Sequence, residues 1–368
     1  MGRKMLKVAA GAAAVLGLGV GVANAAVSPA AGPAWRSVGP GGAAGAVTAV
    51  TTIQSGKVAE FAFAFNGNKP SMYARSNNES WAHSGISIAK AGERVVSAKA
   101  VALNEALVFT DINGSGSRVL QVTGHSTTTG AGHSYFYTWK VLKTFGAQIG
   151  SASVLNAHNV WVFGYSASGP GRLGAWHYNG KAWTQLSKTF TNGAGVSGTA
   201  AWAASGTKLE HYNGSKWTAT SIAGLLSSKS AAVSTIFTGG AGSPYAIVTE
   251  NEKDGHVGGP IVVLEYNGHA WVKVATYAHG SAVPGAAAAD GHSGLWFPVN
   301  EGPGEPARLL HFDNAHRTLT VAALPGLTND SAGSSISSIA NIGYTRELAG
   351  GDAISPTGKL TVKIYYLS

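Results

Sequence analysis

Cleaving a glycosidic bond takes two carboxyl groups facing each other across the sugar, roughly 5 to 9.5 Å apart. The 368-residue chain has 17 Asp and Glu in all. Asp254, Asp290, Glu301 and Asp352 are candidates, but they fall in stretches that read as loops, where solvated acids belong. The 12 histidines offer little more. His125 and His133, in and around STTTGAGHS, would supply two zinc ligands without the third that a site needs. His177, His211 and His311, with Glu265 in the same register, recur just before repeated turns. Equivalent positions in separate repeats lie far apart, so these read as exposed outer-strand residues and not as one metal set. DINGSGS, Asp111 to Ser117, begins like a calcium loop, yet Val122 stands where the bidentate Glu is required, so a plain turn is expected. GYSAS, Gly164 to Ser168, is one residue short of the G-x-S-x-G nucleophile elbow, which leaves Ser166 as a loop residue. The chain has no cysteine, so disulfides, thiolate metal sites and thiol nucleophiles are excluded. No glycine loop followed by Lys-Ser/Thr is present to cradle a phosphate. Neither metal nor cofactor is expected.

What must position any such site is a repeat. HYNGKAWTQL (His177 to Leu186) recurs as HYNGSKWTAT (His211 to Thr220) and EYNGHAWVKV (Glu265 to Val274). Each copy reads as a strand, an Asn-Gly hairpin of the two-residue kind that accepts positive φ, and a return strand beginning at Trp183, Trp217 or Trp271. Phe312 to Asn314 followed by Leu319, and Tyr73 followed by Trp81, fit the same frame. Before each copy comes a hydrophobic strand such as VWVFGYS, AAWAAS or LWFPVNE, and before that an Ala/Ser/Gly-rich segment. Alternation in the hydrophobic strands has a period near two, as half-buried strands require.

Seven units follow, near residues 43–88, 92–145, 147–190, 193–223, 231–278, 283–324 and 332–368. That is about 49 residues each, within the roughly 40 to 50 of four-stranded propeller blades. The last unit ends at KLTVKIYYLS without a fourth strand, while GPAWRSV, residues 32–38, matches the missing one with Trp35 in the place of Trp183. The expectation is an all-β fold, a single seven-bladed β-propeller closed by its N-terminal strand, because closure removes exposed sheet edges. GPGGAAG near Gly39 reads as a flexible passage into the first blade. The recurring Trp183, Trp217 and Trp271 suit sugar stacking, but packing over the outer strands is the stronger expectation, and Trp161, Trp202 and Trp296 read as packing between blades.

The pattern VWVFGY…LGAWHYNGKAWTQL resembles the kelch-like propeller repeats of secreted actinobacterial proteins, in which a dvWavG strand precedes hwdGtsW. The resemblance is best over residues 151–280 and implies the propeller fold. It implies no particular activity, because one fold hosts many functions.

The chain opens with MGRKMLK, an apolar run to Val22 and Ala-Asn-Ala, the three parts of a secretory signal peptide. Cleavage after Ala25 is expected, leaving residues 26–368 as the propeller domain, secreted and extracellular, with no membrane span. Loss of Arg3, Lys4 and Lys7 takes the formal charge from +9 to +6. The remaining basic residues are scattered and form no stripe for nucleic acid. The function expected is a non-catalytic, monomeric binding or scaffold protein whose partner is a glycan or a protein. Contacts would come from long loops at one end of the ring, Gly124 to Ser134, Ala167 to Arg172, Glu250 to Pro260 and Asn300 to Pro306. The residues singled out are Tyr165, Arg172, Asp254, His256, Glu301 and Arg308. The alternative is an extracellular carbohydrate-active hydrolase or lyase with its acids in the central channel.

Overall fold

The computed structural model describes residues 34–40, 43–66, 69–76, 80–113, 115–129, 132–165, 173–238, 243–250, 258–279, 282–301, 305–327, 333–343, 346–354 and 359–367. Apart from one short 3-10 turn, Ala223–Leu225, the elements within them are β-strands. They form seven antiparallel sheets, over residues 46–85, 93–145, 148–187, 192–221, 231–277, 283–322 and 334–367. These are blades 1 to 7 of a β-propeller, as the repeat count requires. Within a blade the strands pair in chain order, and the first strands of neighbouring blades pack on one another, blade 7 against blade 1 included, except that the first strand of blade 6 meets the second strand of blade 5.

Closure takes the expected form. Trp35–Ser37 pairs antiparallel with Leu360–Leu367 as the outer strand of blade 7, Trp35 opposite Leu367. Trp35 is buried and meets the Trp296 ring edge-on at 5.7 Å in blade 6. The described residues on either side of Gly41 and Gly42, which themselves lie outside the described residues, are tied to the strand Leu360–Leu367 of blade 7. Val38 N–H donates to Ile364 O (2.9 Å), Val362 N–H to Ala43 O (2.9 Å) and Gly45 N–H to Leu360 O (3.2 Å).

The small-residue first strands have a steric cause. Trp161 and Phe163, on the second strand of blade 3, are fully buried against the first strand of blade 4. A Cβ added at Gly195 would lie 2.2 Å from Trp161, and one at Gly193 2.6 Å from Phe163. The large residue of one blade thus requires the small residue of the next. Hydrogen bonds stitch the same seam, Trp161 Nε1 donating to Ser197 O (2.9 Å) and Ser151 Oγ to Gly193 O (2.9 Å). Trp202 and Trp296 are buried in the same way. The outer-strand tryptophans are structural too. Trp183 packs on Phe145 and Tyr178, Trp217 on Phe190 and Tyr212, and Trp271 on Trp202 and Tyr266.

Two local expectations need correction. The Asn-Gly hairpins have four connecting residues, since Tyr178 pairs with Trp183 and Tyr212 with Trp217. Asn179 keeps negative φ and works through its side chain, Oδ1 accepting from the N–H groups of Lys181 and Ala182 at 3.0 Å, while Gly180 alone takes positive φ (87°). An Asx turn has replaced the two-residue turn. The preceding histidines are not fully exposed. His177, His211 and His311 are half-buried, each on its blade's large second-strand Trp, with centroids 4.5, 4.7 and 4.3 Å away. Burial pushes His177 and His211 below the usual histidine range.

Candidate functional site

Antiparallel blades place their connections alternately. Second-to-third-strand loops and inter-blade loops share one end of the ring, while first-to-second and third-to-fourth loops share the other. Three of the four expected binding loops, 167–172, 250–260 and 300–306, join second to third strands. Residues 167–172, 251–257 and 302–304 lie outside the described residues, and the strand ends that flank them, Tyr165, Glu250 and Asn300, lie at one end of the ring. The fourth, 124–134, spans the tip of the long hairpin of Ser117–Thr129 and Gly132–Phe145, and lies at the opposite end. On that hairpin His125 stands opposite Phe136 and His133 opposite Thr128, three positions apart along the ladder or roughly 10 Å. Among the described residues no group of three or more His, Asp or Glu is placed to hold a metal. Asp111 and Ser117 are paired across the turn between the second and third strands of blade 2.

Of the six residues singled out, Arg172, Asp254 and His256 lie outside the described residues, as does Ser166. Tyr165 ends the strand Asn159–Tyr165 and is 43% exposed. Glu301 and Arg308 are brought together across their loop, Arg308 Nε lying 3.1 Å from Glu301 Oε2. Glu301 is buried rather than solvated. Tyr277, from the outer strand of blade 5, donates its hydroxyl to Glu301 Oε1, and His279 Nε2 approaches Oε2 at 3.7 Å. Burial and the hydrogen bond to Glu301 push the Tyr277 hydroxyl up, so it stays a phenol and a donor. The cluster joins two blades at the end of the ring where Tyr165, Glu250 and Asn300 end their second strands. Spacing had singled out neither Tyr277 nor His279.

Of the other candidate acids, Asp290 and Asp352 are also buried, and Asp254 lies outside the described residues. Asp352 lies within the strand Arg346–Ile354, bonded by Ser335 Oγ, and burial pushes its carboxyl up. Asp290 occupies the turn between the first and second strands of blade 6. It accepts from the N–H groups of His292 (2.7 Å) and Gly294 (2.9 Å) and from His311 Nε2 (2.9 Å). Burial opposes its ionisation, but His311 and the two backbone donors outweigh that and hold the carboxyl below the usual range. Glu347 is opposite in kind. It begins the second strand of blade 7, has no exposed surface, and accepts from Asn341 Nδ2 at 2.6 Å, while its Oε2 has no hydrogen-bond partner among the described residues. Burial pushes it up to about 9, with the Asp290 charge adding to the effect.

Between the blades runs the central channel, a cavity of about 690 Å³. Its wall is rich in Ala, Gly and hydroxyl-bearing residues such as Thr51, Ser97, Ser153, Thr235 and Ser338, and among the described residues no acid lines it. One charge opens onto it, Lys99 of the strand Glu93–Ala102. The repeat held a signal for it. Lys99 pairs with Leu107, where the matching residues Ser153, Ala194 and Ala288 pair with Trp161, Trp202 and Trp296. A smaller second-strand residue leaves room for a longer first-strand one.

No protein-family model and no curated protein sequence matches the chain. Similarity is found among solved structures. The extracellular domain of a hybrid two component system from B. thetaiotaomicron is similar at 8% identity and a TM-score of 0.51, over 88% of this chain and 40% of that one. Sqt1 from Chaetomium thermophilum is similar at 12% identity and 0.47, over 91% and 86%. Trypanosoma rangeli sialidase is similar at 9% identity and 0.44, over 88% and 55%. The chain thus spans about half the length of the sialidase structures it matches. At such identities a likeness speaks for fold alone; the seven sheets set in a closed ring make this chain a seven-bladed β-propeller.

Proposed function

We propose that the protein is a secreted, non-catalytic β-propeller that binds a glycan or protein partner outside the cell, through the end of the ring where second-to-third-strand and inter-blade loops gather. The observation carrying this reading is where the framework acids are spent. Glu60 pairs with Arg75, Glu93 with Arg118, Glu265 with Arg317 and Glu301 with Arg308, and none lines the channel. These four acids are held in ion pairs within and between blades, and among the described residues no acid lines the channel. The exposed Tyr165 and half-exposed Arg308 are of residue types enriched among interface anchors. Secretion rests on the charged start, apolar middle and Ala-Asn-Ala of the first 25 residues.

A glycan array and a pull-down with the secreted protein test the reading. Tyr165→Ala and Arg308→Ala should each weaken the captured interaction about tenfold or more. Release of reducing ends from the bound glycan would contradict it. One observation favours the alternative of a carbohydrate-active enzyme. Asp290 and Glu347 have environments that push their ionisation apart, as an acid and base pair does. Under that reading Glu347→Gln abolishes glycan cleavage.

A further inference from the structure

Lys99 is a cation without an anion. It opens onto a channel whose lining contains no carboxylate, and no ion pair or hydrogen bond engages its ammonium among the described residues. By contrast, Arg75 and Arg118 each meet a buried glutamate of their own blade, and Arg317 meets one of the neighbouring blade. Lys99 is exposed to the open space of the channel, yet the crowded ring wall around it still disfavours its charge and holds the ammonium below the usual lysine range. A charge kept in such a place without a protein partner attracts an opposite charge more strongly than one on an open surface does.

The wall adds further chemistry. The hydroxyls of Ser97 and Thr235, both half-buried on the lining, make no hydrogen bond to protein among the described residues. Ser153, at the position matching Lys99 in the next blade, has only a long bond of 3.4 Å to Gly195 O. Val96 and Leu155, 38% and 39% exposed, put apolar surface on the same lining. A cation, uncommitted hydroxyls and two aliphatic patches in about 690 Å³ suit one small molecule that is anionic, hydroxylated and partly apolar.

We propose that the central channel binds a small polyhydroxylated carboxylate, a sugar acid or hydroxy acid, whose carboxylate sits on Lys99 and whose hydroxyls meet Ser97, Ser153 and Thr235. This site is separate from the loop end and goes beyond the function proposed there. A silent glycan array would leave it standing, and a silent channel would leave the loop reading standing.

Titration calorimetry near neutral pH with D-glucuronate, D-glucose and acetate tests it. Glucuronate should bind the wild type about tenfold or more tightly than glucose, which lacks the carboxylate, and than acetate, which lacks the hydroxyls. In Lys99→Met the preference of glucuronate over glucose should vanish. The substitution keeps length and removes a partly desolvated charge, so circular dichroism and thermal midpoint should match or exceed the wild type. Equal affinity of the wild type for glucuronate and glucose, or no binding at millimolar glucuronate, overturns the proposal even without the variant. So does a Lys99→Met protein that binds glucuronate undiminished.

Discussion

Glu347 begins the second strand of blade 7 with no exposed surface, and burial pushes its carboxyl up to about 9 against 4.5 for the free side chain. Between those two values the folded chain holds a proton that the unfolded chain has released. Stability contributed by this group is therefore fully present below pH 4.5 and falls as pH rises toward 9. Glu347→Gln keeps an acceptor for Asn341 and cannot ionise. Thermal unfolding from pH 5 to 9 should show the variant a few degrees more stable at the alkaline end and level with the wild type at the acid end. An unchanged pH slope would mean that Glu347 is ionised in the fold. None of this was legible in sequence. Asp290, Glu301 and Asp352 read as solvated loop acids, and Glu347 was not singled out at all. Short-range pattern says which residues alternate along a strand, whereas desolvation is set by the neighbouring blade.

At the scale of strands and turns, the repeat carries most of its own explanation. Hydrophobic second strands, small first strands and an aromatic at the start of the return strand can each be read from spacing. What spacing did not give is how the Asn-Gly turns close, because a side-chain cap and a two-residue turn share the same dipeptide. Asn179→Ala removes an acceptor for two backbone N–H groups and should cost about 1 kcal/mol by urea unfolding, with Gly180 untouched. Gly195→Ala tests the complementarity of adjacent blades. Its Cβ would fall 2.2 Å from the fully buried Trp161, and a destabilisation of about 1–3 kcal/mol is expected. Gly146→Ala is the control, since it has nothing within 4 Å and no positive φ, and it should leave the unfolding midpoint in place.

For the whole molecule the decisive contact joins residues more than 300 positions apart, Trp35 to Leu367. Trp35→Ala empties a buried site against Trp296 and should lower stability by about 3–5 kcal/mol. A chain lacking residues through Ser37 exposes the edge of Leu360–Leu367, and gel filtration should show it associating while the intact chain does not. Blade number, strand order and closure were determined by the sequence, because each unit states its own pattern and the last unit lacks a strand that the start of the chain supplies. The tertiary structure alone decided which residues meet across seams. Bending seven sheets into a ring put Tyr277 of one blade on Glu301 of the next, buried acids that looked solvated, and left Lys99 facing a channel that no acid lines among the described residues. Those outcomes depend on distances between blades, which no local spacing of residues encodes.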